Sequence, residues 1–220
     1  MLQSVLQEDN YKHKGLREKL VDLLIEKGIK DKKVLEAIGK IPRHFFLDTA
    51  FEHRAYENTA FPIAAGQTIS QPYTVAFQTE LLQVKKFDKV LEIGTGSAYQ
   101  SCVLAEMGAS VFSIELQRPL YDYINTFFFI KKYPSIRRFW GDGYQGLPTY
   151  APFDKILVTA GAPYLPPKLI EQLKPGGIAV IPVGGGEGQK MLRIRKNEDG
   201  SITEETFGDF MFVPMLEGKR

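Results

Sequence analysis

Ten residues in the middle of the chain limit its fold more than any others: Val90-Leu91-Glu92-Ile93-Gly94-Thr95-Gly96-Ser97-Ala98-Tyr99. A short branched apolar run, the pattern of a buried strand, enters a glycine turn and then a helical stretch. Glycine there lets the backbone approach a ligand closely. As a bare pattern Gly-x-Gly is weak evidence for a nucleotide-like ligand, but the alternation of strands and helices downstream of it strengthens the reading. Strands are predicted over 90–93, 110–114, 136–140, 155–158 and 178–183, with helices over 98–106 and 167–173. That alternation specifies a doubly wound, mostly parallel sheet, in which ligands sit at the carboxyl ends of the strands. Pro175-Gly176-Gly177 is expected to terminate the last helix. Runs at 191–196 and 202–207, joined by Asn197-Glu198-Asp199-Gly200, predict an antiparallel pair at the end of the sheet.

The first 60 residues carry helical rather than strand patterning. Leu16, Leu20, Leu23 and Leu24 recur at helical spacing before Gly28. Asp31 is a plausible N-cap for a second helix with Val34, Leu35 and Ile38 on its apolar face, closed by Gly39 and Pro42. The expected organisation is one domain over 1–220: a helical lead-in (1–65), a cofactor-binding core (66–183) and C-terminal antiparallel strands (184–220).

Composition excludes several alternatives. A chain of 220 residues with 44% apolar and 25% charged residues suits one hydrophobic core. No run approaches the roughly 20 apolar residues of a membrane span, and Glu8 and Asp9 fall where a signal peptide has its apolar centre, so a cytoplasmic location is expected. The single cysteine, Cys102, leaves no internal disulfide or thiolate zinc site and is expected in the core. With 28 Lys and Arg against 26 Asp and Glu, no strong field draws the protein to nucleic acid or anionic lipid. The pairs Lys85-Lys86, Lys131-Lys132 and Arg137-Arg138 read as solvated surface. His13, His44 and His53 lack the spacing of a helical zinc site and read as surface or packed residues, with no metal expected. Tyr121, Tyr123 and Phe127-Phe128-Phe129 read as core packing rather than an RNA-stacking platform.

Two acids stand where strands end. Glu115 closes the strand after the glycine loop, roughly 20 residues beyond Glu92, the spacing at which a carboxylate meets a ribose diol; it could also be a solvated strand end. Asp142, in Gly141-Asp142-Gly143, could accept from an exocyclic amine such as that of adenine, or be a turn aspartate. A dinucleotide site would want a third glycine where Tyr99 stands. Glu92 beside the loop would repel pyrophosphate and attract an amine or sulfonium. S-adenosyl-L-methionine therefore suits the pocket better than NAD. Upstream, Gly66-Gln67-Thr68-Ile69-Ser70-Gln71-Pro72-Tyr73 opens a helix running to Leu82 with Ser70 or Gln71 at its N-terminus, and pattern alone favours Ser70 as its N-cap.

In combination, Ile41-Pro42-Arg43, the run from Gly66 to Pro72, the run from Leu91 to Ser97, Gly141-Asp142-Gly143, Ala151-Pro152-Phe153-Asp154 and Phe212-Val213-Pro214 resemble the protein-L-isoaspartate O-methyltransferase family, in order and over most of the chain. The Gly-Gln-Thr-Ile-Ser-Gln-Pro run is far more specific than the glycine loop. The resemblance implies a Rossmann-like class I methyltransferase fold. It also implies methyl transfer from S-adenosyl-L-methionine, leaving S-adenosyl-L-homocysteine, to the free α-carboxylate of L-isoaspartyl residues in damaged proteins and peptides. By it Ser70 is the active-site serine. Thr68, Ile69, Glu92, Gly94, Thr95, Gly96, Glu115, Asp142, Gly143 and Gln189 fall on the cofactor side, with Glu115 at the ribose and Asp142-Gly143 at the adenine. A monomer that binds neither nucleic acid nor membrane is expected. Ala98 stands where many relatives carry a further glycine, which bears on loop geometry. Two other readings remain at this point: a methyltransferase of nucleic acids or small molecules, and a cofactor-binding protein without catalysis.

Overall fold

The structure, a computed structural model, describes residues 8–218. The ends of the expected 1–220 domain, 1–7 and 219–220, lie outside the described residues. Two helices come first, α1 (Tyr11–Glu26) and α2 (Lys32–Lys40). Asn10 caps α1 by accepting from His13 N, and Asp31 caps α2 by accepting from Lys33 N and Val34 N. The buried stripe of α1 is His13, Arg17, Leu20 and Leu24. Two polar side chains thus share the face that the leucines mark. His13 stacks on His44 with ring centroids 3.8 Å apart, a contact between two segments that no helical spacing reveals.

Two 3-10 turns, Arg43–Phe46 and Thr49–Arg54, lead into a small ribbon of β1 (Phe61–Pro62) against β2 (Thr68–Ile69), and then into α3 (Pro72–Leu82). The N-cap position of α3 is Gln71, without a side-chain cap bond. The capping reading of Ser70 is therefore corrected: Pro72 begins the helix one residue later than that reading needs, and Ser70 remains in the loop.

The main sheet contains β3 (Lys89–Ile93), β4 (Ser110–Glu115), β5 (Ile136–Trp140), β6 (Phe153–Val158), β7 (Leu173–Val183), β8 (Gln189–Lys196) and β9 (Ile202–Phe210). Their order is β5-β4-β3-β6-β7-β8-β9, parallel through β7 and antiparallel for the last two. Between strands lie α4 (Tyr99–Glu106), α5 (Arg118–Thr126) and α6 (Pro167–Glu171). β4 pairs on one side of β3 and β6 on the other, so the order reverses at β3 and opens a crevice beyond its carboxyl end.

One predicted boundary moves. α6 ends at Glu171, and Pro175-Gly176-Gly177 lies inside β7 rather than after a helix. The pairing with β6 shifts register there, and a Cβ on Gly177 would fall 2.7 Å from Lys174 O and 2.8 Å from Leu173 Cδ1. The glycines form an irregular segment of strand, a local arrangement that resembles a helix stop in sequence.

Alternation along the strands separates two cores. Val90, Val111, Leu157, Ile178 and Val180 pack with α1 to α4, whereas Leu91, Ile93, Ile156, Val158, Ala179 and Ile181 pack with Leu169 of α6, Tyr144 and Phe153. Phe127 and Phe129 are buried against Phe46, 5.2 and 5.4 Å between centroids, but Tyr123 and Phe128 are exposed, so the core reading of that aromatic run holds only in part. Cys102 is buried in the first of these cores. Among the described residues no helix is long and apolar enough to cross a membrane.

Candidate active site

Parallel strands β3, β4 and β6 all end at one edge of the sheet, and the loops leaving them build the site. Gly94 follows β3 with φ 95, a conformation side-chain-bearing residues resist, and a Cβ there would lie 2.6 Å from Thr159 Oγ1. Thr159, just beyond β6, donates to Gly94 O at 2.7 Å and lies close to Ile93 O. Thr95 is buried, its hydroxyl 2.6 Å from that of Ser113. Ala98 precedes α4 with φ 67, so the chain adopts a left-handed turn at a residue that carries a Cβ.

Glu115, the last residue of β4, accepts from Gly96 N through Oε2 and from Gln117 N through Oε1, each at 2.8 Å. Burial pushes its carboxyl above the ordinary value, and the N–H donors of Gln117, Gly96 and Leu116 pull it back. Each oxygen retains a second lone pair for a hydroxyl.

The cleft beyond these loops has two arms. One is lined by Thr68, Ile69, Ser70, Gly94, Thr95 and Gly96, with Tyr99 and Gln100 of α4. The other is bounded by Ile93, Ile114, Leu116, Gly143, Pro214 and Met215. Glu115 lines both. The second arm is largely apolar, as a planar heterocycle needs. A Cβ on Gly143 would sit 2.3 Å from Ile93 Cγ2, so only glycine lets the backbone lie this close to β3.

Three expected cofactor residues stand outside the cleft lining. Glu92 is fully buried beneath the loop and accepts from the Ser101 hydroxyl, while its Oε1 accepts no hydrogen bond. Burial pushes its carboxyl up to about 7; the Ser101 and Ser113 hydroxyls act against this and Glu115 adds to it. Asp142 accepts from Tyr144 N at 2.9 Å and from Gly218 N at 3.1 Å, an arrangement that shapes the turn presenting Gly143. Gln189 is a correction. Its amide donates to Gly185 O and accepts from Phe212 N, 2.9 and 2.8 Å, and the buried side chain braces the C-terminal segment rather than facing the cleft.

The role of the C-terminal segment as a wall of the cleft was not foreseen, although Phe212-Val213-Pro214 is among the runs that carry the resemblance. After β9 the chain crosses back over the strand ends: Gly161 N donates to Val213 O and Met215 N to Gly161 O, both at 2.8 Å. Val213 thereby lines the first arm and Met215 the second. Thr159 was findable, because it ends a parallel strand. Val213 lay in a run that carried the resemblance but had no assigned role, and Met215 had no local signal.

Ser70 lies where the cleft meets a wider outer cavity bordered by Tyr73, Phe77, Phe207, Phe210 and Met211. Thr68, Ser70, Thr159 and Val213 line both spaces. Residues 15–220 match the family described as Protein-L-isoaspartate(D-aspartate) O-methyltransferase.

The chain belongs to this family. A protein-L-isoaspartate O-methyltransferase of Flavobacterium psychrophilum is 57% identical over 212 residues, 96% of this chain and 99% of that protein. A solved protein-L-isoaspartate O-methyltransferase superimposes with a TM-score of 0.81 at 27% identity; the match covers 90% of this chain and 65% of the other. A putative member from Plasmodium falciparum, solved in complex with S-adenosyl-L-homocysteine, has a TM-score of 0.78 at 24% identity, covering 92% of this chain and 99% of that one. Membership of this family agrees with the glycine loop, the strand-end Glu115 and the Gly66 to Pro72 run occupying one edge of the sheet.

Proposed function

We propose that the protein transfers a methyl group from S-adenosyl-L-methionine to the free α-carboxylate of L-isoaspartyl residues in damaged proteins and peptides, initiating their repair. The observation that carries this reading is the shared wall at Ser70, where the glycine-loop cleft opens into a cavity large enough for a peptide segment. The residues present fit the methyl donor: Gly94 and Gly143 line the cleft where a Cβ would collide with Thr159 and Ile93, Glu115 has lone pairs for a diol, and Ile114, Leu116 and Met215 flank the apolar arm. Bound there, the donor supplies an electrophilic methyl on a sulfonium.

The chain's own contribution is placement. A carboxylate with a reference pKa near 3.5 is ionised at pH 7, so the acceptor needs no general base. Orientation can supply about 7 to 11 kcal/mol of the barrier. Ser70 is the catalytic residue of this reading: its hydroxyl, in a loop rather than capping α3, is available to hold the carboxylate facing the donor. Thr68 and Ile69 continue that wall toward the glycine loop. Glu92 and Asp142 serve cofactor binding from behind, by supporting the loop and the Gly143 turn. The proposal extends to one methyltransferase domain over 1–220, acting as a cytoplasmic monomer on isoaspartyl proteins rather than on nucleic acid or membranes, which the balanced charge supports.

The test is transfer of labelled methyl to two synthetic peptides differing only in an L-isoaspartyl or a normal L-aspartyl linkage. Base-labile label on the isoaspartyl peptide alone is the expected result. Donor binding without label on either peptide would overturn it.

A further inference from the structure

We propose that Arg43 is a positioning residue that holds the acceptor-side loop at Ser70 in register with the donor-side helix at Tyr99. This rests on the methyl-transfer reading and deepens it. Arg43 opens the first 3-10 turn and is wholly buried. It forms no ion pair with a carboxylate among the described residues. Instead Nε donates to Ala55 O at 3.0 Å, Nη2 donates to Ser70 O at 2.8 Å, and the guanidinium lies over the Tyr99 ring, 4.8 Å from its centroid. Nη1 makes no hydrogen bond of good geometry, and the nearby Tyr99 hydroxyl favours the charged form.

For packing alone this is a poor choice of residue. A buried cation without a counter-charge destabilises a core, and an apolar side chain of similar length would fill the space at lower cost. Burial pulls the guanidinium down to about 10, so it stays charged at neutral pH. Departures of this kind are expected where function sets the requirement. The planar fork links three segments at once: Ala55 in the N-terminal region, the peptide group between Ser70 and α3, and the first residue of α4. Tyr99 and Ser70 both line the donor cleft. Fixing the Ser70 carbonyl sets the peptide plane from which its hydroxyl projects, and the Tyr99 contact refers that plane to the glycine loop. Lysine cannot reproduce the arrangement, because a single ammonium lacks the flat, stackable fork.

Arg43→Met and Arg43→Lys in the full chain test this. For each, the melting temperature, the Kd for S-adenosyl-L-homocysteine, and kcat and KM for an isoaspartyl peptide are measured. Arg43→Met is expected to fold, to bind S-adenosyl-L-homocysteine within about threefold of the original protein, and to lose tenfold or more in kcat with a smaller change in peptide KM. Arg43→Lys is expected to recover part of kcat. A kcat per folded molecule within twofold of the original in Arg43→Met would overturn the proposal and leave Arg43 a structural residue. Should Arg43→Met fail to fold, soluble Arg43→Lys decides: a fivefold loss of kcat at unchanged Kd supports the proposal, and full kcat overturns it. Failure of the methyl-transfer reading is separately visible, as absence of transfer by the unaltered protein.

Discussion

Glu115 Oε2 accepts the N–H of Gly96 at 2.8 Å, so the final carboxylate of β4 holds the loop that leaves β3. The same carboxylate lines both arms of the cleft. Its substitution should therefore loosen the loop and remove a diol acceptor together. A hydrogen bond to a charged group contributes about 1.5 to 3 kcal/mol. Glu115→Ala is expected to raise the Kd for S-adenosyl-L-homocysteine by about 10- to 100-fold by isothermal titration calorimetry. An unchanged Kd would remove Glu115 from the binding site.

Ser70→Ala separates catalysis from folding, because Ser70 does not cap α3. The melting temperature and the Kd for S-adenosyl-L-homocysteine should stay close to the original. Loss of a hydrogen bond to the acceptor carboxylate should lower kcat by about 10- to 100-fold. Equal losses of stability and activity would restore the capping interpretation.

Gly143→Ala places a Cβ 2.3 Å from Ile93 Cγ2 and 3.3 Å from Met215 Cε, between β3 and the returning C-terminal segment. Overpacking of this kind costs about 1 to 3 kcal/mol. Reduced stability in urea and weaker cofactor binding are both expected, since Gly143 lines the apolar arm. Gly186→Ala, with nothing within 4 Å of the added carbon, is the control and should change neither.

Two buried groups should give opposing pH dependences. Burial, aided by His13, holds the His44 imidazole down to about 4, against about 6.5 unfolded. Around the stacked pair stand Asp9, Arg17, Glu52 and Tyr56. The unfolded chain binds the extra proton between these values, so the His44 contribution is present above about pH 6.5 and lost as pH falls toward 4. Glu92 acts the other way. With its carboxyl raised to about 7, the folded chain binds the extra proton, and that contribution is lost as pH rises from about 4.5 to 7. At about 1.4 kcal/mol per unit, each amounts to at most about 4 kcal/mol. Urea titrations across pH 4 to 8 should show His44→Asn losing stability relative to the original protein as pH rises, and Glu92→Gln losing it as pH falls. Parallel profiles for the two variants would contradict this assignment of the slopes.

Much of this protein was legible before any coordinates. The five parallel strands, the antiparallel pair, the Asp31 cap and the glycine loop follow from residue periodicity and turn chemistry, which act over a few neighbouring positions. The misreadings share a cause. Pro175-Gly176-Gly177 has the composition of a helix stop but belongs to an irregular strand, and Ser70 precedes a helix without capping it. Each was decided by a partner distant in the chain: Asp154 of the neighbouring strand for Gly177, and Arg43 for Ser70.

The sequence alone determined that this chain forms a parallel sheet with acids at its strand ends, because strand patterns, glycine turns and terminal carboxylates are local features and parallel strands bring their ends to one edge. It also carried, in the run from Gly66 to Pro72, the mark of its family. Only the tertiary structure decided which side chains meet there. Val213 and Met215 reach the cleft because the C-terminal segment pairs with Gly161, and Gln189 braces that segment instead of facing the cofactor side. Arg43 joins Ser70 to Tyr99 through a buried cation. Such contacts depend on how distant segments pack, and no spacing along the chain encodes them.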